Sequence, residues 1–383
     1  MKNRGCFLMF WMLCLWAIWD EEAQAQFMNN VSIHGFGGWA YGKTDNENQY
    51  LVGNEDGSYD HVSFSLSITA NPYEQLSIYV QPGYSEGGVE FEEEDVSLDY
   101  AFAEWYFSDR FILRVGKVKA PFMLFTEVYN VGTLRPFYSL SQGVYQEIAT
   151  EAYKGVGLTG LLYSNREWEL QYDVYGGKLS LLPNPFLDAR EYRFKLIETT
   201  ATDVIGGRIT VHTPLNGLSL GVSSYTGEFD FEISDTVQKF LSFDDRYVLF
   251  GISAEYLSDR WWIRSEYLAQ KKSPKIEIDV AYLEVAYLLT EHWQIAGRYE
   301  VAEFGISAPE FQGSPTSTEE HQDLVLGLNY WMNPNLVFKF SYHIVEGNRF
   351  AIPNDVADYL AAYQKGSFDE TTHLIVFGTQ FSF

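Results

Sequence analysis

Charged and polar residues in this chain recur at alternate positions among apolar ones. Arg264, Glu266 and Gln270 are interleaved with Trp261, Ile263, Tyr267 and Ala269, and Arg298 and Glu300 with Ile295, Tyr299 and Val301. Arg208 and His212 oppose Ile205, Ile209 and Val211 in the same way, Glu284 opposes Leu283, Val285 and Tyr287, and Lys339 and His343 oppose Phe338, Phe340 and Tyr342. On an extended backbone, period two gathers these charges on one face. Facing a water-filled space, opposed acids and bases could create a transverse field that sorts solutes by charge and dipole. They could equally brace a wall through ion pairs of small individual worth.

Bond-making chemistry has less support. The seven histidines are scattered at 34, 61, 212, 292, 321, 343 and 373. There is no Gly-x-Ser-x-Gly, no His-Glu-x-x-His and no phosphate loop. His61 beside Asp60 and His321 beside Glu320 could serve as acid/base pairs, but such neighbours are commonly solvated surface groups. Gly35-Phe36-Gly37-Gly38 sits in a strand pattern rather than a strand-to-helix turn, so it is no nucleotide fingerprint. No catalytic residue, metal ligand or cofactor is therefore assigned.

The elements that must carry the charges are strands. Val62, Phe64, Leu66 and Ile68 alternate with Ser63, Ser65, Ser67 and Thr69; Leu336 to Ile344 and Ile375 to Phe383 repeat the pattern. These runs approach ten residues, the length of a tilted membrane strand and longer than a typical soluble one of about 5 or 6. Short polar turns are expected at Asn71-Pro72-Tyr73-Glu74, Ser108-Asp109-Arg110, Ser164-Asn165-Arg166, Pro214 to Gly217, Ser258-Asp259-Arg260, Glu291-His292 and Asn333-Pro334-Asn335. Seven short turns joined by longer loops give eight hairpins. The expected fold is all-β: one antiparallel transmembrane barrel of about sixteen strands with both termini on the short-turn, periplasmic side. At that size the bore is wide enough to hold water. Polar inward positions such as Ser63, Ser65, Gln81 and Asp173 agree with a wet interior.

Composition fits this reading. Aromatic residues make up 17% of the chain, yet beyond Trp19 no apolar run reaches the ~20 residues of a membrane helix. Lys2 and Arg4, the apolar run Cys6 to Trp19 and Ala23-Gln24-Ala25 mark residues 1–25 as a signal peptide, leaving 26–383 as the barrel domain. Both cysteines lie in the signal segment, so the mature chain is expected to have no disulfide. The net charge of −26 argues against nucleic acid as a partner. Acidic residues cluster at Asp45 to Asp60, Glu90 to Asp95 and Glu228 to Asp245. These read as solvated loops, or as loops holding divalent cations that bridge to lipopolysaccharide.

About 35 residues separate the strand ending near Lys117 from the one beginning near Tyr153, and they include Phe122, Met123, Leu124, Phe125, Val128, Leu134, Phe137 and Leu140. So long and apolar a loop is expected to pack on the inner wall and narrow the pore. The stretch Leu113-Arg114-Val115-Gly116-Lys117-Val118-Lys119-Ala120-Pro121-Phe122, with Glu127 and Val131 to Pro136, resembles the phosphate-selective porin family and its sixteen-stranded trimeric relatives. It departs from the family at Met123, where glycine is usual. The resemblance implies a homotrimer with a pore in each subunit and a constriction near Arg114, Lys117, Lys119, Glu127 and Arg135. It does not imply phosphate, because basic residues number 26 against 52 acidic ones.

The expected function is passive diffusion of small hydrophilic solutes or ions across the bacterial outer membrane. The constriction would use the loop residues above, and the lumen wall Arg208, Arg264, Glu266, Arg298, Glu300 and Lys339. The alternatives are a barrel hydrolase, or a structural or adhesive barrel that conducts little.

Overall fold

A computed structural model describes residues 30–48, 50–86, 95–145, 152–181, 196–233, 246–271, 276–306, 317–351 and 369–383; the signal segment and the acidic residues 90–94 and 234–245 lie outside these. The alternating stretches form strands β1 (Val31–Thr44), β2 (Gly53–Asn54), β3 (Ser58–Tyr73), β4 (Leu76–Glu86), β5 (Asp95–Ser108) and β6 (Phe111–Lys119). The chain continues through β7 (Ala152–Ser164), β8 (Glu169–Leu181), β9 (Leu196–His212), β10 (Leu218–Ile233), β11 (Arg246–Leu257) and β12 (Trp261–Lys271). It ends with β13 (Ile276–Leu288), β14 (Trp293–Ile306), β15 (Ser317–Asn333), β16 (Leu336–Glu346) and β17 (Thr371–Ser382).

Apart from the two-residue β2, sixteen strands of 9 to 17 residues each pair antiparallel with both neighbours in one closed sheet. Closure runs through β1 and β17, with Phe36 opposite Ser382 and Tyr41 opposite Phe377. The carbonyl of Phe383 accepts from the Gly35 amide at 3.0 Å, and its own amide donates back to Gly35 at 2.8 Å. Among the described residues no sheet edge is left open, the condition for a β-structure to stand in hydrocarbon.

All seven short turns lie between paired strands at one end of the barrel. One is displaced: β3 continues through Asn71-Pro72-Tyr73 across a register shift, leaving the turn to Glu74 and Gln75. Opposite, β12 and β13 are joined by only residues 272–275, so not every connection at that end is long.

The outward register exposes Val115, Val156, Val174, Ile209, Leu283 and Leu326. In water an apolar face running round the whole wall would drive association; in a bilayer it is the solvated surface. Beside the short turns, Tyr73, Phe107, Phe111, Trp168, Trp261 and Trp293 are exposed as well, as a girdle at a membrane interface requires.

Candidate pore constriction

Loop residues 120–145 bond to inward side chains around most of the barrel, from Asp99 on β5 and Arg208 on β9 to Lys339 on β16 and Gln380 on β17. The Met123 amide donates to Ser223 Oγ on β10 at 3.2 Å, and the Leu124 amide to Glu266 Oε1 on β12 at 2.7 Å. The 3-10 turns Thr126–Val128 and Gly132–Leu134 follow, and the short helix α1 (Gln142–Tyr145) brings the chain back. Tyr145 donates to Glu266 Oε2 at 2.6 Å, and the Gly143 amide to Glu300 Oε1 at 2.9 Å. Burial first, then the nearby Glu266 carboxylate, push the Tyr145 phenol well above its ordinary range, so it remains a donor.

The remainder of the loop is held through its carbonyls. Arg298 reaches Ser139 O at 3.1 Å, Asn329 reaches Pro136 O at 2.7 Å, and Lys339 Nζ donates to Gly132 O, Arg135 O and Phe137 O at 2.8, 2.6 and 3.2 Å. A loop cannot pair its own carbonyls as a strand does, so buried donors on the wall must satisfy them.

Met123 adopts φ +57°, the left-handed conformation that glycine takes without strain. At the position where the resembled family has glycine, the backbone thus adopts a conformation that glycine favours. The Met123 sulfur lies against Gly251, where an added Cβ would come within 2.1 Å, and the side chain is buried. Phe122, Phe125, Leu140 and Val144 join it in one cluster with Tyr153, Tyr175, Tyr225, Leu249, Leu268, Val280 and Phe304 of the wall. A wet wall all round is thus corrected. Strands β7 to β14 are covered by an apolar layer, while β3 to β5 present Ser63, Ser65, Gln81 and Asp99.

Between the two lies a chain of alternating charge. Glu104 meets Arg114 at 2.7 Å; Arg114 is 3.8 Å from Glu127; Glu127 meets Arg208 at 2.5 Å; Arg208 is 3.1 Å from Asp173. Glu127 belongs to the loop and the others to β5, β6, β8 and β9, so this chain pins the loop to the wall. The Glu104, Arg114 and Glu127 side chains keep 17%, 24% and 29% of their surface, enough to meet a passing solute.

The other expected residues are distributed differently. Lys117 is corrected to the outer face: three residues from Arg114, it falls on the opposite side of the strand, with Val115. Its ammonium donates to Leu98 O at 2.5 Å. Lys119, at the end of β6, turns its Nζ over the inward Tyr100 ring, 4.8 Å from the centroid. Arg135 spends its donors on Tyr138 O and Tyr129 O, 3.1 and 2.8 Å away.

Arg264, Glu266, Arg298, Glu300 and Lys339 are all inward but buried under the loop, not in open water. Arg264 bridges Glu255 at 2.7 Å and Glu284 at 3.4 Å. His321 pairs with Glu300 at 2.7 Å and not with the exposed Glu320, which alternation places on the other face.

Three features escape the sequence reading. Asp99 and Tyr100 both point inward because the β4–β5 register shifts at Gln81/Pro82; Asp99 then accepts from Gln81, Ser65, Ser97 and Asn130. The first loop also folds in, burying Tyr50, Leu51 and Val52, with Tyr50 donating to Asp323 at 2.8 Å. Arg349 is buried against the Phe304 ring, 3.8 Å away. Only the apolar triplet Tyr50-Leu51-Val52 within a polar stretch could have signalled any of these.

No protein-family model and no curated protein matches this chain. Solved structures do match in fold. An OmpF of Salmonella typhi in complex with daunomycin superposes at TM-score 0.59 with 13% identity, covering 92% of this chain and 98% of that one. The outer membrane channel DcaP of Acinetobacter baumannii gives 0.55 and 9%, over 92% and 97%. An anion-selective porin from Comamonas acidovorans gives 0.54 and 8%, over 92% and 99%. By fold, the chain is similar to sixteen-stranded outer-membrane porins.

Proposed function

We propose that the chain is a bacterial outer-membrane porin through which small hydrophilic solutes or ions diffuse passively, exported by residues 1–25 as a cleaved signal and assembled as a homotrimer. The observation that carries this reading is the partly buried charge chain from Glu104 to Asp173, set where an inward loop faces the wall of a closed barrel with an apolar exterior. Because a constriction is where one charge acts most strongly on a passing ion, three carboxylates against two guanidiniums there favour cations modestly. One of the OmpT structures of Vibrio cholerae that this fold resembles is described as a trimer form, which supports the trimeric reading.

Planar-bilayer recording of the purified protein tests this, with reversal potentials in a salt gradient and the subunit count from its mass in detergent. Stepwise conductance with a weak cation preference is expected; a protein that inserts but never conducts rules the porin reading out. The apolar layer under the loop favours a second reading, a structural barrel of little conductance. The same recording separates the two.

A further inference from the structure

Lys117, excluded from the pore, has company on the outer face. Register pairs Lys117 on β6 with Lys154 on β7, and Lys154 with Lys178 on β8. The residues next to them along each strand fix the side: Val115, Val156 and Val174 are exposed outward, whereas Tyr153, Tyr175 and Leu179 are buried in the lumen cluster. Three ammonium groups therefore stand side by side on adjacent strands, which lie ~4.8 Å apart.

Such a row is unfavourable by itself, since like charges directly opposite on a sheet repel. It also runs against the composition of a chain with twice as many acidic as basic residues. Among the described residues, neither Lys154 nor Lys178 has an ion-pair partner. Asp203, on β9 beside the Gly177–Val204 pair, forms no bridge to Lys178.

Position identifies what the row can receive. It lies two residues from the loop ends of β6 and β7 and three from that of β8, at the end of the barrel away from the Trp and Phe girdle. The next outward positions toward the middle of the wall are Val115 and Val156. Charge thus sits directly above an acyl-chain surface, at headgroup depth in the outer leaflet. We propose that Lys117, Lys154 and Lys178 form a binding site for the phosphate groups of an anionic lipid headgroup in that leaflet, with the acyl chains lying on the valines below. The inference rests on the outer-membrane reading, though not on the pore conducting.

The test uses the full-length protein in neutral detergent, titrated with bis-phosphorylated lipid A, with the same lipid dephosphorylated, and with inorganic phosphate, and followed by native mass spectrometry. Basic residues near an anionic membrane surface are each worth roughly a fivefold change in affinity. K117Q/K154Q/K178Q should then bind the phosphorylated lipid about 100-fold more weakly, with channel conductance unchanged. Should the triple variant fail to fold, K154Q alone, at an exposed site, should lose about fivefold, and K154R should restore it. Equal binding of the two lipids, undiminished binding by the variants, or full displacement by inorganic phosphate would overturn the proposal. Loss of conductance in the wild type with lipid binding intact would refute the porin reading and leave this one standing.

Discussion

Replacing Arg208 by glutamine should convert the charge chain from a nearly balanced to a clearly acidic one. Arg208 contacts both Glu127 and Asp173, so its loss leaves two carboxylates without their nearest cation; Glu127 keeps only its 3.8 Å contact with Arg114, which stays paired with Glu104. A unit charge about 5 Å from a passing ion is worth about 0.8 kcal/mol at the dielectric constant of water. Screening over ~10 Å at 0.1 M salt lowers this to about 0.5 kcal/mol. The effect has opposite signs for cation and anion, so the permeability ratio should move by about 1 kcal/mol, or about fivefold, toward cations. The assay is the reversal potential in a KCl gradient for wild type, Arg208→Gln and Arg208→Lys, repeated at 1 M salt, where the Debye length is about 3 Å and the difference should largely vanish. An unchanged reversal potential in Arg208→Gln at low salt, in channels of normal conductance, would refute the placement of the constriction. So would an equal shift in Arg208→Lys, which keeps the charge.

Three further outcomes follow from how the loop is held. Lys339→Met strands three loop carbonyls and the Gln380 amide oxygen, and leaving a buried acceptor unpaired costs about 1 to 3 kcal/mol; the loop should become protease-sensitive and single channels larger and noisier, and variant channels as quiet as those of the wild type would count against the anchor. Glu266→Ala removes the acceptor of Tyr145, Tyr282 and the Leu124 amide, and hydrogen bonds to a charged group are worth about 1.5 to 3 kcal/mol each; cleavage within 120–145 should accelerate while the barrel keeps its heat-resistant migration. Met123→Gly should relieve about 1 to 2 kcal/mol of backbone strain while losing a buried side chain of about 2 to 3 kcal/mol, for a net cost near 1 kcal/mol. Phe122→Ala, with no strain to release, should cost about 3 to 5 kcal/mol. Thermal unfolding that ranks the two the other way would show that the left-handed turn carries no strain.

Alternation and turn chemistry determined the barrel from sequence. Each is local: the side chain of residue i+2 shares the face of residue i whatever lies elsewhere, and Ser258-Asp259-Arg260 before Trp261 marks a turn and an interface within four residues. Strand number, the faces of Arg208, Arg264, Glu300 and Lys339, and the apolar character of the long loop were all readable in this way. Parity also placed Lys117 opposite Arg114, although the family motif, which lists the two together, hides it.

Only the tertiary structure decided which inward charges meet water. Arg264 and Arg114 are indistinguishable by alternation, yet the loop covers the first and leaves the second open. That difference arises from contacts such as Tyr145 with Glu266 and Lys339 with Gly132, 121 and 207 residues apart along the chain. The register shift that turns Asp99 and Tyr100 inward together, and the inward fold of Tyr50 onto Asp323, have the same origin. A loop's course depends on which distant donors and hollows the wall happens to offer, and no local period encodes that.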